Sequence, residues 1–238
     1  MASAAREFAA PGANAMPAPK IAAFFDLDGT LLDGESARLF ISYLRHRGLT
    51  WRYLRRRYLV PAIASLIGFN LGVVEMTRAI ERAARLATGA DSDELWELVE
   101  QWFSEMVRPT IRAGGREQLA WHLGQGHLPV ICSAASQYSV IPVAEHLGIS
   151  HTIYTEWLTA DGTLTGGLRL PVVYGTGKVY WATKWADSHN VDLGNSYFYT
   201  DHASDMPLLQ AVGRPVAVNP EPKLRQLAAA RKWPIVAW

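Results

Sequence analysis

Residues 21–30 have the sequence IAAFFDLDGT, in which an apolar run leads directly into two carboxylates. The apolar part predicts a buried β-strand, and alternate residues of an extended chain point to the same side. Asp26 and Asp28 are therefore expected above the same end of that strand. Two carboxylates this close repel unless a cation or a proton lies between them. The stretch is either an acidic turn or a site where one carboxylate attacks and the other carries a proton.

Later segments place further polar side chains where predicted strands end or a predicted helix begins. An apolar run ends in Ser133, an aromatic run ends just before Asp201 and Asp205, and Lys178 follows a glycine at a helix start. The carboxyl ends of parallel strands meet at one edge of a sheet. These side chains are therefore expected to converge with Asp26.

Two of these residues have competitors in the sequence. Ser133 could instead cap the following helix, and Ser136 could take its place. Lys184 is an alternative to Lys178 in the same predicted helix. Ser133 is preferred because it follows the apolar run directly, and Lys178 because two glycines precede it in the sequence GTGK.

The order of predicted elements indicates an α/β fold with a mostly parallel sheet. Helices are predicted over 114–124, 138–147, 179–188 and 206–211, and strands over 128–132, 152–154, 197–199 and 215–218, with a hairpin around 160–163. Between the first strand and these elements, the pattern is helical, over 37–46, 51–65, 73–87 and 92–107. The predicted domains are a disordered tail at 1–19, a catalytic core at 20–34 and 109–238, and a helical cap insertion at 35–108.

These motifs resemble those of the haloacid dehalogenase-like hydrolase superfamily, in particular its phosphoserine phosphatase branch. The resemblance implies a Rossmann-like core under a helical cap, and Mg²⁺-dependent hydrolysis of phosphomonoesters. It implies that Asp26 forms an aspartyl phosphate and that Asp28 acts as general acid and then general base. Ser133 would bind the phosphoryl group and Lys178 would neutralise its charge. The metal ligands implied are Asp26, Asp28, Asp201 and Asp205.

The substrate is expected to be a small phosphorylated metabolite, and the sequence gives mixed indications for phosphoserine. Glu35 matches the spacing of a glutamate that phosphoserine phosphatases use toward the substrate's amino group. Those enzymes have two glycines where this chain has Ala134 and Ala135. Their arginine for the substrate carboxylate has three competing counterparts here: Arg78, Arg82 and Arg85.

The predicted cap also carries a basic and aromatic segment next to an uncharged one. Residues 59–74 contain no charged side chain, and they follow a segment with three aromatic residues and six arginines: Arg45, Arg47, Arg52, Arg55, Arg56 and Arg57. One interpretation is packing inside the cap, with the arginines in solvent. The other is peripheral membrane contact, or a lipid-phosphate substrate as in phosphatidylglycerophosphate phosphatases, which the chain also resembles. The uncharged run is shorter than the ~20 residues that cross a bilayer.

Composition narrows the remaining classes. With 238 residues, 49% of them hydrophobic, and a net charge of +1, the chain can bury a large core and gives no indication of nucleic-acid binding. A cytoplasmic enzyme is expected. A non-hydrolysing phosphate-binding or receiver-like protein could share the acidic pocket but would have no use for the acid at Asp28. A true dehalogenase would need neither Asp28 nor a Mg²⁺ site.

Overall fold

The computed structural model describes residues 18–70 and 75–238. The predicted tail therefore lies almost wholly outside the described residues, as does the start of the predicted helix 73–87.

A six-stranded parallel sheet forms the centre of the molecule, with strand order β3-β2-β1-β6-β7-β8. A separate antiparallel hairpin pairs β4 with β5. The strands are β1 Ala22–Phe25, β2 Leu128–Ser136, β3 His151–Thr155, β4 Trp157–Ala160, β5 Thr163–Leu168, β6 Tyr197–Thr200, β7 Arg214–Val218 and β8 Ile235–Val236. The predicted α/β class is confirmed.

Helices cover both faces of the sheet. Phe25 and Tyr199 belong to one buried apolar cluster, whereas their neighbours Phe24 and Phe198 belong to the other. This alternation is the two-residue period of an extended strand with both faces buried. The helices are α1 Ser36–His46, α2 Thr50–Tyr53, α3 Leu59–Asn70, α4 Met76–Ala84, α5 Ser92–Trp102, α6 Ala113–Gly124, α7 Gln137–Leu147, α8 Thr176–His189, α9 Met206–Ala211 and α10 Pro222–Arg231.

The strand register brings the predicted polar residues to one edge. Phe25 of β1 pairs with Ile131 of β2 on one side and with Tyr199 of β6 on the other. The Asp26 backbone N–H donates to the Tyr199 carbonyl at 2.9 Å. Ser133, on the neighbouring strand β2, therefore lies just past the level at which β1 ends. The loop that begins at Asp201 follows β6, the neighbour on the other side, and lies at the same level.

The prediction of one continuous helix over 51–65 is wrong, because the chain is interrupted there. The chain leaves α2 through extended conformations at Leu54 and Arg55, passes through a 3₁₀ turn at Arg56–Tyr58, and then enters α3. The break is stabilised by a hydrogen bond from the Arg55 N–H to the Leu86 carbonyl at 2.6 Å. This tertiary contact outweighs the local helical preference.

Candidate active site

A wide turn follows β1 and carries the two leading carboxylates. The Leu32 N–H closes it by donating to the Leu27 carbonyl at 2.9 Å. Gly29 has φ +73°, and a Cβ at this position would lie 2.2 Å from Asp201 Oδ2. Only glycine meets both conditions, so it allows the Asp201 carboxylate to lie directly against the turn.

Lys178 joins the carboxylates that follow β1 and β6. Its Nζ donates to Asp26 Oδ1 at 2.7 Å and to Asp205 Oδ2 at 2.6 Å. Lys178 and Asp205 are each 2% exposed and Asp26 is 8% exposed. The Thr200 hydroxyl also donates to Asp205 Oδ2, at 2.6 Å. Asp205 is thus held from two sides, and it in turn fixes the lysine beside Asp26.

Close backbone packing at the start of α8 fixes the position of Lys178. A Cβ at Gly177 would lie 1.9 Å from the Val172 carbonyl oxygen, so only glycine fits there. Gly175, the residue before the helix, has φ +53°. The sequence GTGK therefore serves to bring the first turn of α8, and with it the lysine, close to the preceding loop.

The electrostatics of this group favour additional positive charge. Burial raises the pKa of Asp26 well above its usual range; Lys178 opposes that shift, and Asp205 and Asp201 add to it. Burial disfavours the charged form of Lys178, but Asp205 and Asp26 outweigh it and raise the lysine pKa. Lys178 is therefore a permanent cation that does not fully offset the surrounding carboxylates.

Asp28 has a different environment from Asp26. Ser36, the first residue of α1, donates its N–H to Asp28 Oδ1 at 2.8 Å and its hydroxyl to Oδ2 at 3.1 Å. Burial, with smaller contributions from Glu35 and Asp201, raises the pKa of Asp28 to about 6, although the two hydrogen bonds from Ser36 lower it. A carboxyl that titrates near neutrality can both give and take a proton at that pH.

Asp201 interacts electrostatically with both Asp26 and Asp28. Its charge contributes to the raised pKa of both Asp26 and Asp28. The Thr30 hydroxyl donates to Asp201 Oδ1 at 3.3 Å. Burial also raises the pKa of Asp201. Three carboxylates on two loops are therefore held close together.

The two serines that competed in the sequence occupy different positions. Ser136 is the residue before α7, the helix N-cap position. Ser133 lies on β2 at the edge where the parallel strands end, and it is 2% exposed. Its hydroxyl accepts a hydrogen bond from the Ala135 N–H at 3.2 Å. Ser133 is thus not the cap of α7, and it lies on the strand adjacent to Asp26.

Glu35 and Lys184 lie farther out in solvent. The Glu35 side chain is 59% exposed and 3.7 Å from Arg38, yet its charge reaches Asp28. Lys184 is exposed and lies over the Trp181 ring at 5.5 Å. The structure therefore brings Lys178, and not Lys184, to the carboxylates, and it places Glu35 at the outer side of the site.

Sequence reasoning missed three hydroxyls that hold the carboxylates. Thr30 supports Asp201, Thr200 supports Asp205, and Ser36 supports Asp28. Thr30 belongs to the DLDGT motif and Thr200 ends the aromatic strand, so both could have been suspected from position. Nothing in the spacing indicates Ser36, because its contact depends on how α1 leaves the turn.

The donor chemistry of the site suits a hard divalent cation. Oxygen ligands from carboxylates are those that Mg²⁺ prefers, and the site has more buried negative than positive charge. Within residues 18–70 and 75–238, no three His, Cys, Asp or Glu side chains already form a ligand cluster. Ser36 occupies both carboxylate oxygens of Asp28. The other three predicted ligands, Asp26, Asp201 and Asp205, each have one carboxylate oxygen outside the hydrogen bonds described above.

Comparison with known proteins settles the family. A model of haloacid dehalogenase-like hydrolases matches residues 23–210, which include all the carboxylates above, Ser133 and Lys178. The chain belongs to this hydrolase family. The resemblance drawn from the motifs is confirmed, and the protein is an enzyme of a hydrolase class.

Relatives and solved structures agree with this assignment. A phosphoserine phosphatase of Mycobacterium tuberculosis is 32% identical over 95% of this chain and 74% of its own length. A histidinol-phosphatase of Neisseria meningitidis is 27% identical over 90% and 97%, respectively. A Bordetella pertussis protein of unknown function has a TM-score of 0.80 at 31% identity, covering 92% of this chain and 98% of that one. A phosphoserine phosphatase structure, a phospho-aspartyl intermediate analogue, shares the fold with a TM-score of 0.64 at 18% identity over 92% and 93%.

Proposed function

We propose that this enzyme hydrolyses phosphomonoesters through an aspartyl phosphate on Asp26. The observation that supports it most directly is the pair of hydrogen bonds from buried Lys178 to Asp26 and Asp205, since a permanent cation beside a carboxylate suits phosphoryl transfer. The separate environment of Asp28, with its pKa near 6, supplies the second role that such a reaction needs.

The reaction divides into two displacements at phosphorus. Asp26 attacks, the bond to the ester oxygen breaks, and Asp28 gives its proton to that leaving oxygen. Asp28 then takes a proton from water, the resulting oxygen attacks phosphorus, and the bond to Asp26 breaks to release phosphate. Lys178 and Ser133 hold the phosphoryl oxygens while charge spreads over them. Ser36 keeps Asp28 oriented for both proton transfers.

We propose Mg²⁺ as the cofactor, with Asp26 and Asp201 as carboxylate ligands and Asp28 and Asp205 at its margin. When bound, it would supply positive charge that stabilises the ionised nucleophile and the phosphoryl oxygens. The support is the excess of buried carboxylates over the single lysine at their centre. Residues 35–108 are proposed to act as a cap that selects the substrate.

The proposed substrate class is the phosphate ester of a 2-amino alcohol. The names of two relatives imply phosphoserine and histidinol phosphate as their substrates. In both esters an ammonium group is on the carbon next to the one that carries the phosphate. Glu35, exposed beside the Asp28 turn, has the charge to pair with that ammonium. A lipid phosphate is the second candidate, favoured by the apolar surface of α3 described below.

The mechanism is tested with Asp26→Asn and Asp28→Asn on a generic aryl phosphate. We expect Asp26→Asn to abolish Mg²⁺-dependent hydrolysis, and Asp28→Asn to slow hydrolysis more for alkyl than for aryl esters, because an aryl leaving oxygen needs less acid help. Phosphorylated protein, detected by mass after rapid acid quenching, should form in wild type and be absent in Asp26→Asn. Full turnover in Asp26→Asn would exclude the covalent mechanism.

The substrate is tested with a panel of phosphoserine, histidinol phosphate, a sugar phosphate and phosphatidylglycerophosphate. We expect Glu35→Gln to raise KM about tenfold for the two amino phosphates while leaving an aryl phosphate unchanged. The matched control is Glu117→Gln, which removes the same negative charge at an exposed position of α6. Equal losses on all four substrates would contradict recognition of an ammonium by Glu35.

A further inference from the structure

Among the described side chains of α3, two small ones are buried and three branched aliphatic ones are exposed. Ala62 and Ser65 are buried, and the Ser65 hydroxyl is satisfied by the Pro61 carbonyl at 2.8 Å and by Arg82 at 2.6 Å. On the other side, Val60, Ile63 and Ile67 are 74%, 48% and 55% exposed. Their spacing of three and four residues places them on one face. An exposed row of branched aliphatic side chains on a helix indicates a further contact surface.

Positive charge is concentrated next to this face. Between residues 36 and 74 the sequence contains seven arginines and no Asp or Glu, although the whole chain has a net charge of only +1. Arg47 and Arg52 pair with acids of α5 and the segment after it, and Arg55 donates to the carbonyls of Thr88 and Gly89. These three arginines therefore already have partners within the protein.

Two arginines at the head of α3 remain directed to aromatic rings rather than to acids. The Arg56 guanidinium lies 4.5 Å from the Trp51 ring centre, and that of Arg57 lies 4.7 Å from the Tyr58 ring centre. Trp51 is itself 46% exposed. An open depression of about 420 Å³ beside them is lined by Trp51, Leu54, Arg55, Arg56, Arg57, Thr88 and Gly89.

We propose that Trp51, Arg56, Arg57, Val60, Ile63 and Ile67, here called the α3 surface, dock the enzyme on an anionic lipid bilayer. The apolar row would enter the boundary between headgroups and acyl chains, and the arginines would bind lipid phosphates, with the tryptophan at headgroup level. The twelve residues of α3 measure about 18 Å, well short of the ~30 Å hydrocarbon core. No helix within residues 18–70 and 75–238 is long and apolar enough to cross a membrane. The helix would therefore lie in the plane of the interface.

Charge favours a lipid surface over a second copy of this chain. Two copies joined through the α3 surface would bring two arginine-rich segments together, and like charges across an interface oppose association. An anionic bilayer offers both the apolar phase for the aliphatic row and the negative charge for the arginines. Docking is independent of catalysis, so its failure would leave the proposed phosphatase mechanism intact.

Co-sedimentation of the full chain with vesicles tests this proposal. We expect binding to phosphatidylglycerol vesicles in low salt, several-fold weaker binding at 0.5 M NaCl, and little binding to phosphatidylcholine vesicles. Arg56→Glu with Arg57→Glu should weaken binding at least 25-fold, at about fivefold per lost arginine. The triple change Val60→Ser, Ile63→Ser and Ile67→Ser should abolish it while leaving aryl phosphate hydrolysis unchanged.

Matched controls separate this surface from general charge and hydrophobicity. Arg116→Glu with Arg225→Glu reverses two exposed charges elsewhere, and Leu123→Ser removes an apolar side chain that is 51% exposed on α6. Both controls should bind vesicles nearly as wild type does. Equal binding by the serine triple variant would overturn the proposal. So would light scattering that shows a wild-type dimer and a monomeric triple variant without any vesicle binding, because the α3 surface would then be a subunit interface.

Discussion

Lys178 has an unusual environment for a lysine. A lysine at 2% exposure is tolerated because two carboxylates accept from its Nζ. We expect Lys178→Met to lower kcat at least about 100-fold, since the proposed mechanism would lose its fixed cation at the phosphoryl oxygens and the carboxylates would repel each other. Lys184→Met, an exposed position on the same helix, is the control and should retain wild-type kcat. Steady-state kinetics on an aryl phosphate would decide; a nearly active Lys178→Met would show that another group neutralises the charge.

In the proposed mechanism, Ser36 acts only through Asp28, to which it donates two hydrogen bonds. Ser36→Ala removes the hydroxyl donor and leaves the backbone N–H, so Asp28 loses one of two hydrogen bonds that orient it. We expect kcat for an alkyl phosphate to fall about tenfold with KM nearly unchanged, the size expected for a hydrogen bond to a charged group. The effect should be smaller for a nitrophenyl ester, which needs less acid help. Ser42→Ala, on the same helix, should match wild type, and an equal loss on both esters would assign Ser36 a merely structural role.

At the scale of elements, the first turn of α8 depends on the absence of a side chain at Gly177. We expect Gly177→Ala to lower both kcat and Tm, because its Cβ would overlap the Val172 carbonyl oxygen and push the helix start, with Lys178, away from Asp26. Gly124→Ala at the end of α6 has nothing within 4 Å of its Cβ and should be neutral or stabilising by up to about 1 kcal/mol. Thermal melts and kinetics of the two variants, measured in parallel, test this difference.

The element order was predictable because several candidate site residues directly follow a clear strand pattern. Apolar or aromatic runs end at Asp26, Ser133 and the Asp201 loop. Parallel pairing of these strands places their carboxyl ends at the same edge of the sheet. What could not be predicted rests on contacts distant in sequence. The helix over 51–65 breaks because Arg55 bonds to Leu86, a contact that leaves no local signature.

The end of the chain shows a different limit. The helix α10 and strand β8 were not predicted, although Pro222 at the first helical position is an ordinary start signal. The helix ends at Lys232, with φ +57°, where a glycine would have been the usual sequence signal. The β8 strand has only two residues and forms through pairing with β7. Pairing decides such a short strand, since its own sequence has too few residues to show a pattern.

For the whole molecule, a buried histidine between α6 and the sheet links stability to pH. His122 is 0% exposed, and its Nε2 lies 2.8 Å from the Tyr199 hydroxyl and its Nδ1 2.8 Å from His127 Nδ1. Burial, with a smaller contribution from His127, lowers the pKa of His122 to about 4. Burial likewise lowers the pKa of His127, which also faces Arg214. The folded state therefore holds His122 neutral at pH values where the unfolded chain protonates it.

The sign of the resulting pH dependence follows from proton uptake. Between the unfolded pKa of about 6.5 and the folded pKa of about 4, the unfolded state binds the extra proton, so the free energy of unfolding falls as pH falls. The loss should total about 3 kcal/mol and level off below pH 4. Raised carboxylate pKa values in the active site act in the opposite direction, so the measurement is the difference between wild type and His122→Gln in urea unfolding at pH 7, 6, 5 and 4. We expect His122→Gln to be less stable at pH 7 and the two curves to approach each other toward pH 4. Parallel curves would show that His122 is protonated equally in both states, and that its burial does not lower its pKa.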